Sequence, residues 1–168
     1  MNVTSGVQSF NLNGEAVAVP SELPFAPTPV SPLPTNIALN KTAAAISSQN
    51  SDYSPEKGND GDGSSMWIAS DGNPGNRWMV DLGESYHLIG SEIVFENEGD
   101  VWQYRIETAA DGEVWSTLAD HTDNESGSAT QSDTFETATR YVRVTITGVR
   151  LPDGAPLLKF GFGEKNPL

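Results

Sequence analysis

The chain has 168 residues, 36% of them hydrophobic, with four tryptophans and six phenylalanines, enough for one domain with a real core plus an extension. Nine basic residues against 23 acidic ones give a formal charge of −14, which repels phosphate backbones and disfavours nucleic acid and anionic membranes as partners. There is no cysteine, so disulfides and thiolate metal sites are ruled out, and no run of about 18 apolar residues could span a membrane as a helix.

The opening residues, "MNVTSGVQSFNL", show no basic region followed by an apolar one, so no signal peptide is read there. "SFNLNGEAVAV" follows, with Asn13-Gly14 between two apolar stretches, a hairpin signal. Residues 1–19 are read as the remnant of a preceding module or as an accessory β-hairpin. Residues 20–35 are read as a linker, because "PSELPFAPTPVSPLP" holds six prolines and favours extended, semi-rigid chain. A remnant joined by a linker to a complete domain, residues 36–168, suggests a piece of a secreted modular protein.

From Asn36 onward the pattern is strand, turn, strand. "RWMVDLG" (77–83) and "GSEIVFE" (90–96) are apolar at strand length, and "QYRIETA" (103–109) and "RYVRVTITG" (140–148) alternate. Tyr104, Ile106, Tyr141, Val142, Val144 and Ile146 are the inward candidates. Gly83, Gly90, Asp111-Gly112, Gly127 and Asp153-Gly154 punctuate the strands, and no window has sustained helical periodicity. Short strands at roughly 8–12-residue spacing predict an all-β, antiparallel β-sandwich, most simply a jelly roll.

"GNDGDGSSMW" (58–67) is the densest motif. A phosphate loop needs Lys-Ser/Thr after its glycines, and here Ser64-Ser65 lead into Met66-Trp67. An EF-hand starting at Asp60 needs glycine at Ser65 and a bidentate glutamate at Asp71. Two readings remain, a non-helical calcium loop and a bare Asp-Gly turn. In the first, the Asp60 carboxylate, the Asp62 carbonyl and the Ser65 hydroxyl are the hard oxygen ligands.

Five stretches in order, "NIALNK" (36–41), "DGDGSSMWIAS" (60–70), "RWMVDLG" (77–83), "QYRIETAADGEVW" (103–115) and "RYVRVTITG" (140–148), carry a resemblance. From Asn36 to about Gly163 the chain resembles the coagulation factor V/VIII C-type, or discoidin, domain. Within that superfamily it is most similar to family 32 carbohydrate-binding modules of bacterial glycoside hydrolases. The resemblance implies an eight-stranded, galactose-binding-like jelly roll with one structural calcium at Asp60, Asp62 and Ser65. It also implies that Trp67 lies in the core and that Trp115 closes the Asp-Gly turn and packs inward. Where relatives carry a calcium-binding glutamate, "APLLKFGFG" (155–163) presents Lys159, whose ammonium either replaces the ion or swings outward and leaves a weaker site.

Catalysis finds little support. The only histidines are His87 and His121, and Glu96 and Glu98, two apart on an expected strand edge, could meet a glycosidase spacing only as any acidic strand end in so negative a chain could. Sugar binding asks for an aromatic face and a few forked polar groups. The resemblance places such sites in end loops, here 48–57, 70–77, 96–105 and 150–156. In them Trp102 and Tyr53 are candidate platforms. Glu96 and Arg105 are a candidate pair across a hairpin 92–108, and Asp71 and Arg77 flank a further loop. The arginine, asparagine and histidine trio of galactose-binding relatives is not reproduced, so the sugar does not transfer. The expectation is a non-catalytic module, secreted or at the cell surface, that holds a parent glycoside hydrolase or surface protein to a neutral glycan. The alternative is a structural or protein-interaction spacer without sugar affinity.

Overall fold

Alternating apolar and polar residues carry most of the chain into strands. The computed structural model describes residues 10–14, 35–152 and 161–163. Among them are nine strands: β1 (Phe10–Gly14), β2 (Thr35–Asn36), β3 (Thr42–Ala45), β4 (Met66–Ile68), β5 (Arg77–Val94), β6 (Val101–Ala109), β7 (Ser116–His121), β8 (Thr130–Arg150) and β9 (Gly161–Gly163). Two 3-10 turns, Ser51–Tyr53 and Pro55–Gly58, are the only helical pieces among these residues. Strand order is β2-β1-β5-β8-β6-β7, with β3 also on β5, and β4 pairs with β9. All these pairings are antiparallel, and the chain is an all-β sandwich.

The segments 77–83 and 90–96, expected as two strands, mostly merge into the single strand β5. Its register to β8 jumps from Asp81↔Tyr141 to Tyr86↔Thr139, so a four-residue bulge on β5 faces Arg140 alone. Gly83, at φ 90°, supplies the left-handed residue that the bulge needs. Arg140 closes it by donating from Nε and Nη2 to the two Asp81 oxygens, each at 2.7 Å. Bulges bend strands. The first half of β5 and second half of β8 therefore lie with β3, β6 and β7, and the remaining halves with β1 and β2.

Between the layers lies one core with Trp67, Trp78, Trp102, Phe95 and Tyr104 fully buried. The indoles that reach its rim are satisfied: Trp78 Nε1 donates to the Pro55 carbonyl at 2.7 Å and Trp67 Nε1 to that of Ser47 at 3.0 Å. Tyr104, Ile106, Val142, Val144 and Ile146 point inward as the alternation predicts. Tyr141 does not: it neighbours Val142 on the strand and so faces the other way, half-buried beneath Arg140. Asn13 and Gly14, read as a hairpin turn, lie inside β1, which pairs with β5 and β2 and buries Leu12. Close approach is what requires glycine there, since a Cβ on Gly14 would collide with the Ile37 side chain and crowd the His87 carbonyl.

Two hydrogen bonds from Arg140 hold the Asp81 carboxyl down at about 2, against 3.8 for a free aspartate. A depressed folded-state value stabilises the fold above the unfolded value, and that contribution is lost as pH falls through the folded one. Thermal melts of the wild type should therefore drop between about pH 4 and 2. Asp81→Asn should melt a few degrees lower at neutral pH and lose less over that window; equal acid slopes for the two proteins would contradict the assignment.

Candidate functional site

The registers bring five loops to one end of the sandwich: 46–50 after β3, 70–76 before β5, 95–100 between β5 and β6, 122–129 between β7 and β8, and 151–152 after β8. Asn76, 7% exposed, organises the first two. Its Nδ2 donates to the Asp71 carboxylate and carbonyl and to the Asn73 carbonyl, and its Oδ1 accepts from Ser47 Oγ. The Asn73 amide and then Asn76 hold the Asp71 carboxyl below its usual range.

A second set of bonds locks loop 95–100 to loop 122–129. Gly99 N–H donates to Gly127 C=O at 2.7 Å, Phe95 N–H to Ala129 C=O at 2.8 Å, and Asn124 Nδ2 to Trp102 C=O at 2.8 Å. The contact needs both glycines: Gly99 has φ 93°, and a Cβ on Gly127 would sit 3.1 Å from the Gly99 oxygen.

Beside this lock opens a cleft of about 430 Å³ lined by Gly99, Val101, Glu125, Arg150, Leu151 and Pro152. Arg150 Nη2 lies 3.4 Å from the Asn124 carbonyl and 3.9 Å from Glu125 Oε1, and both side chains are mostly exposed. The wall is aliphatic, from Val101, Leu151 and Pro152, and the rim offers a carboxylate acceptor beside a guanidinium fork. Such a surface accepts one apolar face and several hydroxyls of a sugar ring. Glu96, Glu98, Asp100 and Asp123 add further carboxylates to the same two loops.

The expected site residues are only partly assembled. Trp102 is fully buried and stacked on Phe95, with centroids 4.9 Å apart and planes 7° from parallel, so it is a core residue with no face for a ligand. Tyr53 is half-buried at the end of the first 3-10 turn. Glu96 and Arg105 do not pair through a hairpin, because β8 runs between β5 and β6; Arg105 Nε instead reaches Asp120 Oδ2 on β7 at 3.3 Å. Glu96 and Glu98 sit in the loop after β5, off any strand edge. Asp71 shapes its own loop. Arg77 and Arg105 share one row, both in register with Thr145, on the outward sheet face and away from the cleft. Trp115, expected inward, is half-buried outside the core cluster, with the Arg143 guanidinium 4.1 Å above its ring. His87 is exposed, and His121 Nε2 lies 2.7 Å from Asp133 Oδ1. Loop 122–129 was the missed contributor, although "NESGSA" has the composition of a tight loop.

The 57–65 loop hangs from the start of β3, toward the other end. Asn59 Nδ2 ties it to the Ala38 and Lys41 carbonyls at 2.7 and 2.9 Å. Asp60, Asp62 and Ser65 do come together. Ser65 Oγ lies 2.7 Å from Asp60 Oδ1, 3.0 Å from the Asp62 carbonyl and 3.4 Å from the Lys57 carbonyl. Backbone donors close the loop as well, Asp62 N–H to Asp60 Oδ1 and Ser65 N–H to the Asp62 carbonyl, both at 3.0 Å, so one carboxylate, two carbonyls and a hydroxyl are gathered in a single turn. Hard oxygens of this kind fit calcium. Lys159 lies outside the described residues.

The class that the fold defines is an antiparallel β-sandwich with its longer loops gathered at one end. The F5/8 type C domain family matches residues 42–156, and the chain belongs to it. A comparison with curated protein sequences finds no match. Among solved structures, a chitosan-binding module 1 derived from a chitosanase/glucanase of Paenibacillus sp. IK-5 is 25% identical at a TM-score of 0.66, over 77% of this chain and 96% of that one. CpGH89CBM32-4 of Clostridium perfringens is 25% identical at 0.63, over 78% and 99%. A chain named only as a glycoside hydrolase is 20% identical at 0.60, over 79% of this chain and 33% of its own length, a likeness of fold alone.

Trp102→Ala should cost about 3–5 kcal/mol, as other buried tryptophans do, and lower the melting temperature by roughly 10 °C. An unchanged melting point would place Trp102 outside the core. Gly127→Ala should speed hydrogen exchange at the Gly99 amide selectively; uniform exchange rates would show that the two loops are not locked.

Proposed function

We propose that this chain is a non-catalytic carbohydrate-binding module whose glycan lies in the cleft between loops 95–100, 122–129 and 151–152. The single observation that carries the reading is that cleft, with its aliphatic wall, its Arg150–Glu125 rim and its locked loops. The relatives named for chitosan binding and from glycoside hydrolases support it. Binding in a shallow cleft suits a module that keeps a parent enzyme or surface protein near a glycan, outside the cell. The chain's charge of −14 and the carboxylates of both loops favour neutral or amino-bearing sugars over uronates. Calcium belongs to the same reading as a structural ion. Asp60 through its carboxylate, Lys57 and Asp62 through carbonyls and Ser65 through its hydroxyl would hold it.

Titration calorimetry against glucosamine, N-acetylglucosamine and neutral hexose oligosaccharides tests the reading. At least one series should bind. Arg150→Ala and Glu125→Ala should each weaken that binding by about tenfold or more, as loss of a charged hydrogen-bonding group does, with the melting temperature kept. No binding to any glycan would favour a spacer domain instead, and turnover of a glycoside by the purified chain would overturn both.

A further inference from the structure

The oxygen cluster of the 57–65 loop already has a cation beside it. Lys57 Nζ lies 3.4 Å from Asp60 Oδ2, the oxygen of that carboxylate turned away from Ser65. Lys57 thus meets the cluster at two points, its carbonyl near the Ser65 hydroxyl and its ammonium on Asp60. The two ends are held very differently. The carbonyl belongs to the Pro55–Gly58 turn, fixed by Lys57 N–H to Ser54 C=O at 3.0 Å, by Asn59 N–H to Glu56 C=O at 3.2 Å, and by the buried Asn59 side chain. The side chain is 42% exposed on a flexible four-carbon stem.

From this arrangement the geometry points to Lys57 as a built-in stand-in for the metal: its ammonium neutralises Asp60 in the metal-free loop and must swing out when a divalent cation enters. The inference rests on the calcium reading of the loop. A divalent ion among Asp60 Oδ1, the Asp62 and Lys57 carbonyls and Ser65 Oγ would lie within a few ångströms of the present ammonium position, where like charges repel strongly. Binding therefore exchanges one cation for another. The backbone ligands are set beforehand by the turn and by Asn59, and only the lysine side chain has to move. Two properties follow. The loop stays ordered without calcium, so a chelator lowers the melting temperature by only a few degrees, and calcium affinity is weaker than the oxygen set alone would give.

Lys57→Met, which keeps the stem and removes the charge, tests this by calorimetric calcium titration and by melting with and without chelator. The variant should bind calcium at least tenfold more tightly than the wild type. Its metal-free form should melt a few degrees lower, and its gain on adding calcium should be larger. Lys57→Arg should behave as the wild type in all three. Calcium binding by Lys57→Met alone would be the strongest support. Equal calcium affinities and equal metal-free melting temperatures for Lys57→Met and wild type would overturn the stand-in role while leaving the calcium site intact. Absence of calcium binding in every variant would overturn the calcium reading, and the stand-in role with it.

Discussion

Everything in this molecule hangs on the side-by-side pairing of β5 with β8, the two strands long enough to run through both layers. Every other strand except β2, β4, β7 and β9 is hydrogen-bonded directly to one of them. Their shared bulge, clamped by the Asp81–Arg140 pair, turns one continuous sheet into a sandwich. Loss of that bend would leave Val80 and Leu82 without Leu88 and Ile93 to pack against, although all four are fully buried in one cluster. The same pairing sets which loops meet. Because Val94 lies opposite Thr130 and Val101 opposite Arg150, the turns that follow and precede them emerge together and enclose the cleft.

The two ends of the sandwich divide the work. At one, glycines and backbone hydrogen bonds fix loops that leave the Arg150 and Glu125 side chains mostly exposed. At the other, a short loop gathers oxygens and is strapped to the start of β3 by Asn59. A cation bound there would act on the stability of the sandwich and on the position of β4, which follows the loop directly and carries the buried Trp67. It would lie at the opposite end from the cleft, so metal and glycan would not compete. A binding surface resting on preformed loops avoids most of the ordering entropy that a mobile one would lose on binding a sugar.

Strand content, the inward set Tyr104, Ile106, Val142, Val144 and Ile146, and the family itself were legible in the sequence, because alternation and ordered motifs are local signals. Trp102 was legible in part: it shares strand parity with Tyr104 and Ile106, and that parity outweighs the attraction of an aromatic beside a loop. Trp115 follows an Asp-Gly turn with no parity to read, so its stacking under Arg143, on a different strand, was invisible. Arg105 found Asp120 rather than Glu96 because strand order, unlike strand content, is a long-range property. The cleft lay half in view. Residues 150–152 stood in a loop already suspected, whereas Glu125 and the Gly99–Gly127 lock depend on how two loops 28 positions apart approach. Lys57 meets Asp60 through the turn Pro55–Gly58, a local geometry that its sequence does not announce.

The central claim, that the cleft is the glycan site, is tested most directly by mapping amide shift changes in the isotope-labelled chain during titration with a glucosamine or N-acetylglucosamine oligosaccharide. The predicted result is a set of changes confined to Gly99, Val101, Glu125, Arg150, Leu151 and their loop neighbours. Changes centred instead on the outward row of Arg77, Thr145 and Arg105, with the cleft amides silent, would contradict it.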